Sequence, residues 1–458
     1  MIYTIPLFVA GLWLLFAYGP MRARAFTAAR AGSTLACGLG AVATAAAWLS
    51  SGPALVSEEI LVGSRWQFAL SDHGFAGLAP VLIAAIGIVA IAMSDSLSHS
   101  TATLRRILCL LAVAMAFVAV REPLVLAVLW TLSPWIAWSE LRERFGGRGV
   151  AQVFAVYHVV SVACFVGGVS SSQLGWAAAS PLLFLVSIVL REAEVPVHSW
   201  FPRFVEKAPL GLVVAFTAPQ LGVFAQLEIL GDSLPADLAR LIPMLGAVTA
   251  IVAAALGVVQ ISARRALAFL LMSQMALVSL GLDGTSEVAR AGSLLAWLVL
   301  SLATTGFAMT ISALEARRGE LTLATHSGYF SRTPRMAAGF MLMGLASVGF
   351  PMTLGFIAED LIVQGAIESN PVWAFVLIGA TALNGMNVMR AFFRLFAGSR
   401  IHTGETDLTG RESYALTLVL LTLLVGGIAP NWLLSQEFGR ATQHVSEPHT
   451  AAHPDPSP

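Results

Sequence analysis

LREAEVPVHSWFP, residues 190–202, places four ionisable side chains and two prolines at the end of an apolar run. Arg191 and Glu194 are three residues apart, and Glu194 and His198 are four apart, so on a helix each pair shares a face. Pro196 lacks a backbone donor and opens a helix. At membrane depth an opened helix is tolerated only beside protein or a water-filled cavity. The stretch therefore predicts a hydrated ion path, with a salt-bridged helix end at the surface as the alternative.

A second interrupted stretch, residues 349–360, reads GFPMTLGFIAED. Gly349, Pro351 and Gly355 break an otherwise long apolar segment, and Glu359 and Asp360 follow before the apolar sequence resumes. An interrupted segment in each half of a transporter is the best sequence indication of its ion site. The alternative is a helix end with two solvated acids, which the immediate return of apolar sequence disfavours.

The composition excludes a soluble globular protein. Of the 458 residues, 57% are hydrophobic and 11% charged, with a mean hydropathy of +0.79, whereas soluble chains are roughly 25% charged. The net charge of +0 gives no indication of nucleic-acid binding. Cys37, Cys109 and Cys164 lie far apart in apolar runs, which favours buried, inert thiols over a metal site. With no dinucleotide loop or cluster-binding cysteines, we expect no cofactor.

Apolar segments long enough to span a bilayer recur along the whole chain. A spanning helix needs about 20 residues, and we count about fourteen such segments. They start near Ile2, Ala31, Phe75, Leu104, Pro123, Ala151, Leu174, Ala208, Leu238, Arg265, Val288, Met336, Val372 and Ser413. The sequence thus predicts an all-α polytopic membrane bundle over residues 1–434, followed by a polar, disordered tail over 435–458. Three tail histidines resemble a weak metal-binding tract, although a solvated tail is favoured: His444, His449 and His453.

The basic residues alternate from loop to loop, and cytoplasmic loops should hold the excess. One set of loops is basic, holding Arg22/Arg24/Arg30, Arg105/Arg106, Arg142/Arg144/Arg148, Arg203/Lys207, Arg264/Arg265, Arg317/Arg318/Arg332/Arg335 and Arg400/Arg411. The intervening loops hold only Arg65, Arg121, Arg240 and Arg290. This alternation predicts a multi-pass protein of the cell (inner) membrane with both termini on the outer side. The basic residues follow the first apolar run, which favours an anchor over a cleaved signal.

The two interrupted stretches resemble the antiporter-like membrane subunits of respiratory complex I, a family that includes Mrp antiporters and membrane-bound hydrogenases. The family signature places proline, histidine, tryptophan and proline in order and then Ala-Pro, and here Pro196, His198, Trp200, Pro202 and Ala208-Pro209 are in register. Residues 349–359 resemble the family's second broken helix, with Glu359 at its ionisable position. Residues 263–275 resemble the family's Ser-rich stretch, and residues 61–72 its short segment before the third helix. The resemblance implies two inverted repeats with broken helices.

The chain departs from the family where the family titrates. Arg191 stands where the family has lysine, Thr131 where it has the glutamate after a tryptophan, and Gln274 where it has histidine. The central lysine falls at Gln220 or Gly222. In the following helix the family's histidine and lysine fall on Ser301 and Thr305. Arginine stays protonated in proteins, and glutamine and threonine do not titrate, so the proton relay is incomplete.

The resemblance implies a subunit of an energy-coupling complex that translocates protons or another cation. Redox or substrate chemistry would belong to other subunits, namely other membrane subunits and a peripheral soluble subunit, with no catalytic site in this chain. The alternative is a non-conducting scaffold for a soluble partner, or a cation-coupled subunit for inorganic-carbon uptake, as in related subunits. The expected ion-path residues are Arg191, Glu192, Glu194, His198, Gln220, Gln274, Glu359, Asp360 and Arg390, with helix breaks at Pro196, Gly349, Pro351 and Gly355. Arg390 is the expected cation near Glu359.

Overall fold

The computed structural model describes residues 4–19, 25–50, 59–61, 67–69, 74–176, 179–230, 235–282, 286–369, 371–398 and 406–428. The predicted tail after residue 434 and its three histidines lie outside these ranges.

The described chain is almost entirely helical. The first helices are α1 (Ile5–Tyr18), α2 (Phe26–Ser50), α3 (Gly74–Ala92), α4 (Thr101–Ala119), α5 (Pro123–Phe145) and α6 (Val150–Gln173). The middle of the chain forms α7 (Ala179–Arg191), α8 (Trp200–Lys207), α9 (Leu210–Thr217), α10 (Leu221–Ala225), a π-helical turn (Gln226–Leu230), α11 (Ala236–Val259) and α12 (Ala263–Leu282). The last helices are α13 (Glu287–Arg318), α14 (Pro334–Ala346), α15 (Leu354–Ser369), α16 (Pro371–Phe396) and α17 (Gly410–Ile428).

Two three-residue strands precede α3. They are β1 (Glu59–Leu61) and β2 (Gln67–Ala69), which pair antiparallel with Glu59 opposite Ala69. They fall in and beside the segment that the sequence resemblance singled out.

The prediction of an all-α membrane bundle is confirmed. Within the described ranges, nine helices are long and apolar enough to cross a membrane, and four shorter apolar helices accompany them. Three of the predicted segments are each divided by a break into two helices. The pairs are α7 and α8, α9 and α10, and α14 and α15. The count of fourteen spans remains a prediction.

The bundle is apolar outside as well as inside. Trp13, Trp130, Trp200 and Trp297 are fully buried, as are many polar side chains. The outer faces expose large apolar residues, among them Trp135, Val159, Phe375, Leu421 and Val425. Patches of this kind are unusual on soluble monomers and match a surface that faces lipid.

One end of the bundle, here called the basic end, is tied together by arginine side chains. It comprises the connections 93–100, 146–149, 208–209, 260–262 and 319–333, with residues 397–398 and 406–409. Arg264 pairs with Glu315 and donates to the Ala208 carbonyl, at 2.6 Å. Arg411, at the start of α17, donates to the carbonyls of Ala92 and Ser94 at the end of α3 (2.7 and 3.2 Å). These bonds place the start of α12 beside the end of α8, and the start of α17 beside the end of α3.

Candidate functional site

Three helix breaks lie inside the bundle, and each contains a residue in a strained conformation. The non-glycine residues with positive φ in the described ranges are Ala193 (56°), Gln220 (43°) and Met352 (75°), one at each break. Such conformations cost about 1–3 kcal/mol each and cluster at functional sites.

At the first break, between α7 and α8, the guanidinium of Arg191 lies between two aromatic rings. Its Cζ atom is 4.7 Å from the ring centroid of Trp130 and 4.6 Å from that of Phe216. One terminal nitrogen donates to the Ser133 hydroxyl of α5, at 2.8 Å, while Nη1 has no hydrogen-bond partner among the described residues. Arg191 is therefore a buried, fixed positive charge held by cation–π contacts.

Glu192 is buried beside Arg191 and reaches the second break. Its Oε1 accepts a hydrogen bond from the backbone N–H of Gly222, at 3.0 Å. A side chain on Gly222 would collide with this carboxylate. Glu192 and Arg191 both line a small cavity, together with Thr217, Gln220 and Met275.

The remaining predicted residues of the first break lie along its connection. Glu194 is buried, His198 is half-buried and Pro196 is exposed. The break is held by hydrogen bonds to residues outside it: the Val195 N–H donates to Thr249 Oγ1, at 2.9 Å. The indole of Trp200 donates back to the Leu190 carbonyl, at 3.0 Å. The helix opens at the predicted place, although its backbone groups are bonded by protein side chains.

The second break, between α9 and α10, was not predicted as a break, although Pro219 in an apolar run was a signal for one. Trp297 and Ser301 of α13 donate to the carbonyls of Pro219 (3.3 Å) and Ala218 (2.6 Å). Ser301, which the resemblance aligned with a titrating residue, thus bonds a freed carbonyl instead. Gln220 is buried at the break, and its Oε1 has no partner among the described residues.

Between the second and third breaks, α12 and α16 contribute buried amides. Both polar atoms of the Gln274 side chain lack a partner in the described part of the chain. The neighbouring Ser273 accepts a hydrogen bond from Asn384 Nδ2, at 2.8 Å, and donates to the Ala250 carbonyl. Unpaired buried amides of this kind are costly unless water or a passing ion meets them.

At the third break, between α14 and α15, Glu359 turns toward the break. The space beside Gly349, whose φ is 69°, is occupied by the Glu359 carboxylate. Thr381 of α16 donates to this carboxylate. The side chain is half-buried, and its Oε1 is enclosed with no partner among the described residues. Gly349 and Pro351 lie in the break, as predicted, whereas Gly355 lies in the first turn of α15.

One expectation about the surroundings is wrong, and two further residues named in the sequence analysis are exposed. Arg390 donates to the Gln260 carbonyl (2.8 Å) at the basic end and does not pair with Glu359; it is nine residues, about 13 Å of helix, from Thr381. Asp360 is exposed and accepts from Gln364 on the same helix. Thr131 is exposed on α5 and donates to its own helix, so the α5 residue opposite Arg191 is Ser133.

A buried ion cluster near the basic end was missed by the sequence reasoning. Glu140 of α5 is buried, and it binds Arg106 of α4 and Arg144, while Thr103 donates to its Oε1. The signal was present, since Glu140 and Arg144 are spaced four apart. In the same region, burial alone would raise the pKa of Asp95, but hydrogen bonds from His99 and Ser98 lower it below its usual range.

The arrangement offers groups that can hold a proton or an ion. In the described ranges, no three His, Cys, Asp or Glu side chains come together as a metal site. What remains is a row of buried acids, amides and one fixed cation along three opened helices. Opened helices of this kind bind ions in secondary transporters.

Comparison with known families and curated proteins relates the chain to other membrane proteins. A family profile described as "NADH:quinone oxidoreductase/Mrp antiporter, TM" matches residues 154–384, half of the chain. NADH-quinone oxidoreductase subunit 13 of Thermus thermophilus is 29% identical over 259 residues, 54% of each chain. Subunit M of Mycobacterium tuberculosis is 26% identical over 319 residues, 64% of this chain and 56% of that one. The matches span about half the length of these curated relatives.

Solved structures extend the likeness of the fold to nearly the whole chain. A chain of respiratory complex I from Thermus thermophilus with bound NADH superposes with a TM-score of 0.83 and 21% identity, covering 97% of this chain and 98% of that one. A chain of the Mrp complex from Dietzia sp. DQ12-45-1b has a TM-score of 0.83 and 15% identity, covering 98% of both.

Proposed function

Because the chain belongs to the NADH:quinone oxidoreductase/Mrp antiporter transmembrane family, we propose that it is a membrane subunit that translocates protons in an energy-coupling complex. The proton would pass along the three breaks, with Glu359 as an exchanging group. Redox or substrate chemistry would belong to partner subunits.

The observation that carries this proposal is the position of Glu359. Ionisable groups inside a membrane are expensive, at about 2.5–3.5 kcal/mol even on the lenient insertion scale. Glu359 has a hydroxyl from Thr381 and the bare Gly349 beside it, and the described residues provide it no ion-pair partner. A carboxyl group without a fixed counter-charge can gain and lose a proton.

The rest of the path follows the buried groups. Glu192 and Glu194 would serve at the first break, and Gln220 and Gln274 would orient water between the breaks, because amides donate and accept but do not titrate. His198 would lie at the margin of the first break. Asp360 and Arg390 lie away from this row and are not part of the proposed path.

The surroundings of the subunit are proposed on the basis of the loop charges and the family. The basic end would face the cytoplasm and both termini the outer side of the cell membrane. Other membrane subunits would pack beside the chain, and a peripheral soluble subunit would supply the energy.

A non-conducting scaffold is the second candidate, and the first break favours it. Arg191 is locked between Trp130 and Phe216 and bonded to Ser133. Such a charge cannot relay a proton. A break built around it would hold the helices in place without conduction.

Proton uptake into proteoliposomes holding the purified complex tests the proposal. We expect Glu359→Gln to stop uptake driven by an imposed membrane potential, because glutamine keeps the shape of the side chain but does not titrate. Size-exclusion chromatography checks that the complex remains assembled.

The matched control is Glu368→Gln on the same helix, where the carboxylate bonds Ser286 on the surface. Uptake should survive this change. Wild-type uptake by an assembled Glu359→Gln complex would exclude conduction through Glu359 and favour the scaffold.

A further inference from the structure

The contact between Glu192 and Gly222 joins the first break to the second. Residues 191–199 belong to one interrupted helix and residues 218–220 to the next, and Glu192 crosses between them to accept the Gly222 N–H. No other acid among the described residues lines the cavity at this junction.

The carboxylate occupies space that a side chain would otherwise fill. A Cβ atom built on Gly222 meets Oε1, Cγ and Cδ of Glu192, so every other residue type at this position would push the acid away. Gly222 has an ordinary φ, since it is absent from the glycines with positive φ. Glycine is therefore required here for room and not for backbone conformation.

The surroundings of Glu192 leave one of its two carboxylate oxygens for proton exchange. Oε1 accepts the Gly222 N–H, and Oε2 accepts no hydrogen bond from the described residues. Gln220, buried in the same cavity, has an acceptor oxygen with no partner. Arg191 is the other charged group that lines the cavity, and its guanidinium is engaged with two rings and Ser133.

We propose that Glu192 takes up and releases the translocated proton where the first two breaks meet, and that Gly222 is the seat that holds its carboxylate there. In this step a hydronium ion in the path gives its proton to Oε2 and becomes water. The protonated acid then passes the proton to the next water, and the carboxylate is restored. The inference rests on the proposed proton translocation and assigns the group that performs it at the first break.

The test uses the purified complex in proteoliposomes, with proton uptake driven by a potassium diffusion potential. We expect Glu192→Gln to lower uptake at least tenfold. Gly222→Ala should lower it severalfold, because the added methyl group displaces the acid. Adding Glu192→Asp to Gly222→Ala should restore part of the uptake, because the shorter side chain makes room for that methyl group.

The matched control is Gly385→Ala in α16, where an added Cβ meets nothing within 4 Å. Its uptake should equal that of the wild type. A second readout is the deuterium-sensitive carboxylic C=O band in infrared pH-difference spectra, which Glu192→Gln should remove from the wild-type pattern. A purely structural role for Glu192 would leave that band unchanged.

The outcomes separate this inference from the proposed function. Wild-type uptake in Glu192→Gln beside lost uptake in Glu359→Gln would overturn the role of Glu192 and leave translocation standing. If both variants take up protons normally, translocation itself fails. If Glu192→Gln does not assemble, the Gly222→Ala variants decide. Higher uptake in Gly222→Ala with Glu192→Asp than in Gly222→Ala alone supports the role of Gly222. No such recovery, or uptake in Gly222→Ala equal to that of Gly385→Ala, overturns it.

Discussion

At the first break a cation lies between two aromatic rings with an acid beside it, whereas at the third break an acid lies beside a hydroxyl and a glycine. Arg191 is engaged on both faces by Trp130 and Phe216. Glu359 has Thr381 as its hydrogen-bond donor, and Arg390, the expected counter-ion, bonds elsewhere. Two breaks of similar backbone design therefore surround their charged groups in different ways. The first break holds a fixed cation between rings, and the third holds a carboxylate with no ion-pair partner among the described residues.

Removing the fixed charge should have the largest effect on stability. Arg191→Met would leave Glu192 buried without its neighbouring cation and empty the space between the rings. Breaking a buried charged arrangement costs about 3–5 kcal/mol. Denaturant titration in mixed micelles would measure the free energy of unfolding.

Arg390→Met is the matched control, since that arginine bonds one carbonyl at the basic end, and it should cost clearly less. Equal losses of unfolding free energy for Arg191→Met and Arg390→Met would show that the position of Arg191 between two rings adds no stability beyond that of Arg390.

Ser133→Ala tests the polar side of the Arg191 site. The substitution removes the hydroxyl that receives a charged donor at 2.8 Å, and bonds to charged groups contribute about 1.5–3 kcal/mol. The same titration measures the loss. Ser139→Ala, which removes a bond within the same helix to the Ile136 carbonyl, should change stability by no more than about 0.5 kcal/mol. A neutral Ser133→Ala would mean that the rings alone hold the arginine.

Gly349→Ala tests the contact between the third break and Glu359. Alanine would have to adopt a φ of 69° and would push its methyl group against the Glu359 carboxylate. We expect a loss of about 1–3 kcal/mol, with a fall in proton uptake as well. Gly385→Ala, in open space on a helix, should be neutral or stabilising. Intact uptake in Gly349→Ala would show that Glu359 need not lie against the break.

The smallest effect should come from Asp95, outside both breaks. Its pKa is lower in the folded protein than in the unfolded chain, mainly through bonds from His99 and Ser98 that exceed the effect of burial. Stability from this group is therefore complete above the unfolded pKa and lost as the pH falls through that range. Thermal unfolding from about pH 6 to about pH 2 should show a steeper decline for the wild type than for Asp95→Asn. Parallel declines would contradict the assignment.

The sequence was most informative where single residues dictate the backbone. Apolar length located the spans, and Pro196, Gly349 and Pro351 located two breaks, because missing donors and missing side chains act locally. Pro219 carried the same signal for the second break, but a lone proline among apolar residues does not show which side chains will satisfy the freed carbonyls. Trp297 and Ser301 do so from about 80 residues away along the chain, at separations of 78 and 83.

The sequence did not predict which side chains contact each other between helices. Thr131 and Ser133 are two residues apart on α5, and only the rotation of that helix decides which one meets Arg191. The predicted pairing of Arg390 with Glu359 was wrong for a similar reason. Two helices that are adjacent in sequence can carry their charged residues at different depths in the membrane. The contact between Glu192 and Gly222 depends on how two opened helices cross, which one sequence does not reveal.

Arg411 also has a consequence for how the protein is made. The carbonyl of Ala92, at the end of α3, is bonded by a side chain that lies 319 residues later in the chain. At about 5–20 residues per second, a ribosome needs roughly 15–65 s to synthesise that interval. During that time the carbonyls at the end of α3 lack the guanidinium of Arg411. Lipid headgroups or the insertion machinery must solvate them until α17 is synthesised.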